Sequence, residues 1–351
     1  MFQKFRLSLL PFALFYGLIT YVRNKLYDWR ILKSISFDIP VICVGNLVVG
    51  GAGKTPTTEY LVDLLKGYQI AILSRGYGRS TKGFVLADSR STAATIGDEP
   101  MQFYSKFPGV SVAVCEDRVK GINRLKDEHD IIILDDAYQH RRVSAGLNIL
   151  LFEYTKLFNA QFMLPAGNLR EYFSGFSRAD AILITKCPDH IPEQNRKFLV
   201  SKFKGKEDRV AFWKLSYGNL ISFKDREVIT QNIRKETVVF LLSGIANPDP
   251  LVNYINQSTG NIRHYKFSDH HNFTVAEIEG LARDFKECPS DDKLVVTTEK
   301  DVQRLLEKSL ATILLDLPVF YLPIKIEIVP EDSVTFDNRI LDYVTSNTGN
   351  S

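Results

Sequence analysis

The sequence is short of paired cysteines, of surplus charge and of any apolar run long enough to cross a bilayer. Its four cysteines, Cys43, Cys115, Cys187 and Cys288, are far apart, with no Cys-x-x-Cys pair and no histidine at ligand spacing. That excludes a disulfide scaffold or a zinc module and fits a reducing compartment. The formal net charge is only +3, without the strong basic field of a nucleic-acid binder. No internal repeat or low-complexity tract stands out. What is present is a chain of 351 residues, 45% hydrophobic and 24% charged. This is enough to bury a proper core, and at this length two domains are expected.

The N-terminus departs from an ordinary soluble pattern. Leu7 to Val22 is almost wholly apolar, with Lys4 and Arg6 before it and Arg23 and Lys25 after it. It is shorter than the ~20 apolar residues of a spanning helix and carries Pro11 and Gly17. A signal peptide would share the basic start, but no small-x-small cleavage site follows. Two readings stay open. An interfacial helix would insert Leu10, Phe12, Leu14, Phe15 and Leu18 below the headgroups while Arg23, Lys25, Arg30 and Lys33 meet anionic lipid. Alternatively, the helix packs on its own core.

Beyond it, Pro40 to Leu47 (PVICVGNL) is a short β-branched run of the kind buried in a parallel sheet. Similar strands are expected at Ile70–Leu73, Val110–Val114, Ile131–Leu134, Ile149–Phe152 and Ala181–Ile184, with helices at Thr57–Lys66, Val119–Glu128 and Glu193–Lys204. This alternation predicts a doubly wound α/β sheet. Val210 to Phe223 reads as a hairpin about Gly218-Asn219. After it come strands at Val238–Leu242, Leu294–Thr297 and Val319–Leu322, and helices at Pro250–Gln257, Val275–Phe285 and Val302–Leu310. The predicted fold is α/β, with two α/β/α sandwich domains. Residues 1–33 form an N-terminal interface helix, 34–208 a P-loop core, 209–228 a hairpin connector, 229–342 a smaller α/β domain and 343–351 a flexible tail.

The strongest chemical signal is Val48, Val49, Gly50, Gly51, Ala52, Gly53, Lys54 and Thr55, placed between a strand and a helix. Glycines let backbone N–H groups turn onto phosphates, Lys54 supplies charge at the β and γ phosphates, and Thr55 offers a hydroxyl to Mg²⁺. The usual pattern has Gly where Val48 stands. Pro56 is compatible with a first helical turn. A phosphate loop needs a metal-organising carboxylate at another strand end, and Asp135 and Asp136 after Ile131–Leu134 supply two; they could instead cap the next segment. A GTPase would place its specificity carboxylate three residues after the Thr of Thr185-Lys186-Cys187-Pro188, but Asp189 comes one place too late.

At this point the chain resembles the tetraacyldisaccharide 4'-kinases, which phosphorylate the lipid A disaccharide precursor. The resemblance runs from Val41 to about Asp301. It rests on an ordered set: VGNLVVGGAGKTP at Val44, LSRGYGR at Leu73, GDEP at Gly97, EDR at Glu116, DDAYQHRRV at Asp135, LPAGNLRE at Leu164, SGIANP at Ser243, SDHHNF at Ser268 and TTEKD at Thr297. Ala137-Tyr138 stands where Gly-Phe is usual, and Asn168 where Pro is frequent.

The resemblance implies transfer of phosphoryl from ATP, with Mg²⁺, to the 4' hydroxyl of the lipid A disaccharide 1-phosphate. It implies Asp98 as general base paired with His270, although Asp98 alone would read as a helix cap before Pro100. His270 is preferred to His271 because it matches the family's Asp-His motif, and neighbours on a strand would face apart. Tyr77, Glu99, Arg118, Asn168 and Arg170 match headgroup-binding motifs, and Gln139 and His140 fall on the nucleotide side. Thr298 with Asp301 is either a capping pair or part of the nucleotide cleft. A cleft between two domains, a monomer, and a peripheral place on the cytoplasmic face of the bacterial inner membrane complete the expectation, with no nucleic-acid partner.

Overall fold

The apolar runs become the inner strands of two sheets. The computed structural model describes residues 6, 8–229 and 233–348; Lys4 and Leu7 of the N-terminal segment, and residues 349–351 of the expected tail, lie outside them. Strands β1 (Val41–Asn46), β2 (Ile70–Ser74), β3 (Val85–Leu86), β4 (Ser111–Val114), β5 (Ile131–Asp135), β6 (Leu147–Glu153), β7 (Ala181–Cys187) and β8 (Val210–Tyr217) join β14 (Ile324–Ile328) in one nine-stranded sheet. Its order is β14-β8-β7-β6-β1-β5-β2-β4-β3, parallel from β8 to β4 with β3 antiparallel. The doubly wound α/β reading therefore holds.

Both faces of this sheet are covered, which is why its strands read as unbroken apolar runs. Val41 and Cys43 face one buried cluster, with Ile122, Leu125 and Leu199. Ile42 and Val44 face the other, with Leu61, Leu65, Phe336 and Ile340. Each fully buried Ile or Leu contributes about 2 kcal/mol to the folded state. Helices α1 (Leu10–Asp28), α2 (Lys54–Leu64), α5 (Arg118–Leu125), α6 (Glu193–Ser201) and α11 (Pro330–Thr348) belong to this unit.

The second unit holds β9 (Ile221–Ser222), β10 (Val238–Ser243), β11 (Ile262–Lys266), β12 (Lys293–Thr298) and β13 (Val319–Leu322). They form a sheet in the order β11-β10-β12-β13-β9. Helices α7 (Asp249–Asn256), α8 (Val275–Glu287), α9 (Glu299–Leu305) and α10 (Lys308–Leu314) accompany it. Short α3 (Ala93–Ile96) and the start of α4 (Asp98–Lys106) also belong here, because residues 91–102 cluster with 216–325. No local pattern marks this excursion.

Three expectations are corrected. Val210–Phe223 is not a hairpin: β8 pairs in parallel with β7 and β9 antiparallel with β13, in different sheets. The two-residue turn would need positive φ at one or both central residues, and neither Gly218 nor Asn219 has it. The chain therefore leaves one unit and enters the other near residue 216. Val302–Leu310 is two helices, α9 and α10, broken where Glu307 adopts extended backbone at ψ 130°. The segment after Asp342 is not frayed through Thr348, because Phe336, Ile340 and Val344 form one buried stripe along α11, and residues 326–348 return to the first unit.

One face of the N-terminal helix packs on the core and another does not. Ala13 and Gly17 are buried against the first unit, while Phe12 (66%), Leu14, Phe15 and Leu18 stay exposed. No described helix is long and apolar enough to cross a membrane.

Candidate active site

The phosphate loop follows β1 directly. Leu47 and Val48 are buried, and Val48 bridges to Leu169 without a left-handed backbone. Val is accepted where Gly is usual because the backbone there is not left-handed and the side chain is buried in the core. Gly50 and Gly53 sit at φ 110° and 88°, where a Cβ is strained. Val49 N–H donates to the Asn168 carbonyl at 2.8 Å, and Thr57 Oγ1 donates to the Gly53 carbonyl at 2.8 Å. Lys54 and Thr55 open α2, whose N-terminal N–H groups favour an anion.

Two carboxylates stand at the end of β5, beside β1 in parallel register. Asp135 is buried and accepts from Ser74 Oγ at 3.2 Å. Asp136 has a left-handed backbone at φ 48°, which turns its carboxylate to Lys54 Nζ at 3.7 Å and Arg170 at 2.9 Å. Arg170, expected at the headgroup, is thus held on Asp136. Its backbone N–H also donates to the Leu47 carbonyl at 2.7 Å, so residues 168–170 brace the phosphate loop from both sides.

Gln139 Nε2 donates to the Asn46 carbonyl at 2.8 Å and to Glu171 at 3.1 Å, tying the end of β1 to the same loop. Tyr138 is buried, donates to the Gly175 carbonyl at 2.7 Å and lies under Arg178, so the Ala137-Tyr138 variant is accommodated as core. His140 is half-buried, and burial, then Arg118, push its imidazole down to about 4. Arg118 is only 2% exposed and donates to the Cys115 carbonyl at 3.0 Å; burial pushes its guanidinium below the usual value. Its guanidinium is therefore turned inward. Tyr77, by contrast, is 78% exposed.

The second unit carries the other constellation. Asp98 opens α4, and its Oδ2 accepts from His270 Nδ1 at 2.9 Å and from Arg304 at 2.8 Å. Burial works against ionisation, but the His270 hydrogen bond and the Arg304 and Lys300 charges prevail and hold the carboxyl below the usual range. Glu99 pairs with Lys300 at 3.2 Å. His270 and His271 diverge by a turn rather than by strand alternation: His270 has φ 57°, and His271 goes to Glu277 at 3.0 Å. Thr298 and Asp301 are a capping pair. Thr298 Oγ1 accepts from Asp301 N–H at 3.0 Å and donates to its carboxylate at 2.6 Å.

Sequence reasoning missed Lys300, Arg304 and Trp213. Lys300 stood inside TTEKD, and Arg304 lies one helical turn after Asp301, a spacing that could have marked the pair. Trp213 is fully buried, with its indole against Gly53, and no local pattern marks it.

A glycine loop opening a helix, with paired carboxylates on the neighbouring strand of a doubly wound sheet, defines a P-loop nucleotide-dependent enzyme. The family model described as tetraacyldisaccharide-1-P 4'-kinase matches residues 5–345. The chain belongs to that kinase family. The tetraacyldisaccharide 4'-kinase of Flavobacterium psychrophilum is 46% identical over 98% of both chains. That of Flavobacterium johnsoniae is 44% identical over 97% of this chain and 98% of its own. A crystal structure of LpxK from Aquifex aeolicus in complex with ATP superposes with a TM-score of 0.76 at 31% identity, covering 97% of this chain and 99% of that one.

Proposed function

We propose that this kinase transfers the γ-phosphoryl group of ATP to the 4' hydroxyl of the lipid A disaccharide 1-phosphate in lipid A biosynthesis. The observation that carries the reading beyond ATP binding is the ionised Asp98 clamped beside His270, since a phosphate loop alone would serve any ATPase. The phosphate loop belongs to the first unit and Asp98 with His270 to the second.

Lys54 and the loop N–H groups hold the β and γ phosphates and offset charge developing in transfer. The acceptor O–H bond breaks with its proton passing to Asp98. The oxygen lone pair forms the bond to γ-phosphorus as the bond to the bridging oxygen breaks, and that electron pair leaves on ADP. His270 orients Asp98 throughout.

The hard-oxygen donors Thr55 and Asp135 fit Mg²⁺, which binds through one or two carboxylates plus phosphate oxygens. Asp136, shared between Lys54 and Arg170, orients them. When bound, the ion would neutralise charge on the phosphates. Among the described residues no group of three or more His, Cys, Asp or Glu could hold a metal. Glu99, Tyr77, Asn168 and Arg170 serve the acceptor and the loops about it, and Gln139 and His140 the nucleotide side. The exposed apolar face of α1, with Arg23 and Lys25 nearby, fits association with an anionic lipid surface.

The test uses γ-labelled ATP. Label should move into the organic-extractable lipid with the native chain, and Asp98→Asn should lose this transfer while still binding ATP. Undiminished transfer by a folded Asp98→Asn variant would overturn the base assignment.

A further inference from the structure

The acidic and basic side chains around Asp98 are arranged asymmetrically. His270 Nδ1 and Arg304 both donate to Oδ2, at 2.9 and 2.8 Å. On the other side of the imidazole, Lys300 Nζ lies 3.1 Å from His270 Nε2. An ammonium has only protons to give, so Nε2 is the acceptor and the ring proton sits on Nδ1, directed at Asp98. Arg304 is buried, and its second nitrogen is bound to the Gly244 carbonyl at 3.1 Å and to the Asp301 carboxylate. Asp301 is in turn fixed by Thr298 and by Gly244 N–H at 3.0 Å. Arg304 is thus a rigid fork spanning Asp98 and the start of α9.

We propose that Arg304 and Lys300 are positioning residues for the phosphoryl-transfer base: Arg304 and His270 together occupy Oδ2 of Asp98, which assigns Oδ1 as the oxygen that takes the acceptor proton, and Lys300 fixes the His270 tautomer that makes this possible. The inference rests on Asp98 being the base. It adds which oxygen works and which two cations select it. A carboxylate free to rotate presents either oxygen to the hydroxyl; one held by two convergent donors presents one. Guanidinium suits this because its planar fork fixes the directions of its donors, which a freely rotating ammonium does not. The other charged groups facing the cluster are Glu99, 3.2 Å from Lys300, and Asp269, 3.9 Å from His270 Nε2. Glu99 holds Lys300 in place, and Asp269 lies beyond hydrogen-bond reach of the ring.

The cations also set where the base titrates. Removing either should raise the Asp98 value, so the acid limb of the kcat profile should move to higher pH. Arg304→Gln and Lys300→Met are made in the full chain and compared with Arg304→Lys and Asp98→Asn. The expected result for Arg304→Gln and Lys300→Met is a ten- to hundredfold fall in kcat with KM for ATP within about twofold, the acid limb displaced upward, and partial recovery in Arg304→Lys.

A buried arginine can be needed for folding. The native protein therefore gives an independent reading: ¹⁵N spectra of the His270 ring, assigned by its loss in His270→Gln, should show the proton on Nδ1, and Lys300→Met should raise the Nε2-protonated fraction. A native Nε2–H tautomer, or an acid limb unmoved in folded Arg304→Gln and Lys300→Met, overturns the assignment of these cations. Retained turnover in Asp98→Asn instead overturns the base reading itself.

Discussion

The indole of Trp213 lies against the phosphate loop so closely that a Cβ built on Gly53 would meet its Cζ2 at 2.5 Å. Trp213 is fully buried on β8 and has no room to retreat. Gly53 also holds φ 88°, so Gly53→Ala meets a clash and a strained backbone together. We expect it to destabilise the fold by about 2–4 kcal/mol and to raise KM for ATP more than tenfold. Gly51, with open space around its Cβ position and no left-handed backbone, should accept Ala with little loss of stability. Thermal unfolding of the two variants makes the comparison; equal melting temperatures would show that the indole does not constrain the loop.

The N-terminal helix has two faces with different duties, and deleting it would confuse them. Tyr16 donates to the Arg170 carbonyl at 3.0 Å, Asn24 to Glu171 at 2.9 Å and Arg23 to the Gln139 carbonyl at 3.0 Å. A truncation therefore removes supports of residues 168–171, which brace the phosphate loop, and should impair even a soluble acceptor. Replacing Phe12, Leu14, Phe15 and Leu18 by Ser leaves those bonds intact. The substituted chain should float less with anionic liposomes and lose turnover on the lipid acceptor, while a short-chain soluble acceptor is phosphorylated near the native rate. Unchanged flotation would remove the membrane role.

Stability should depend on His140 in mildly acid solution. Its Nε2 is buried without a hydrogen-bond partner, and burial, followed by Arg118, depresses its value from 6.5 to about 4. Between those values the unfolded chain binds a proton that the folded chain refuses, so stability is full above the unfolded value and falls as pH drops toward the folded one. The loss is on the order of 1–2 kcal/mol, because the half-exposed ring is screened. His140→Gln should flatten this slope in urea midpoints measured from about pH 7 to pH 5. An identical slope in the variant would show that other groups set it.

How much of the structure was legible in the sequence depends on the range of each interaction. The phosphate loop was legible because glycines, Lys54 and Thr55 are contiguous and their chemistry is local. So were the strands of the large sheet, since burial on both faces makes an apolar run. The Gly218-Asn219 turn misled because a local signal cannot report that β8 and β9 join different sheets. Arg304 was invisible as a partner of Asp98 because 206 positions separate them. Arg118 was visible as a motif residue, but its burial and its bond to the Cys115 carbonyl are tertiary facts. The stripe of Phe336, Ile340 and Val344 was readable at helical spacing, yet the polar residues between them masked it.

Lys54→Ala and Thr55→Ala should each abolish detectable transfer, roughly a thousandfold or more in kcat, with unchanged far-ultraviolet circular dichroism. Lys54 is partly exposed and its partner Asp136 keeps Arg170, so the fold does not depend on it. Near-native turnover in either variant would remove the phosphate loop from the mechanism.

The central claim is tested most directly by mass spectrometry of the lipid recovered after incubating the full chain with ATP, Mg²⁺ and the lipid A disaccharide 1-phosphate. The account predicts a product heavier by one phosphate, with fragmentation placing it on the 4' position, and no product with Asp98→Asn. Consumption of ATP without a heavier lipid, or phosphate at any other hydroxyl, would contradict it.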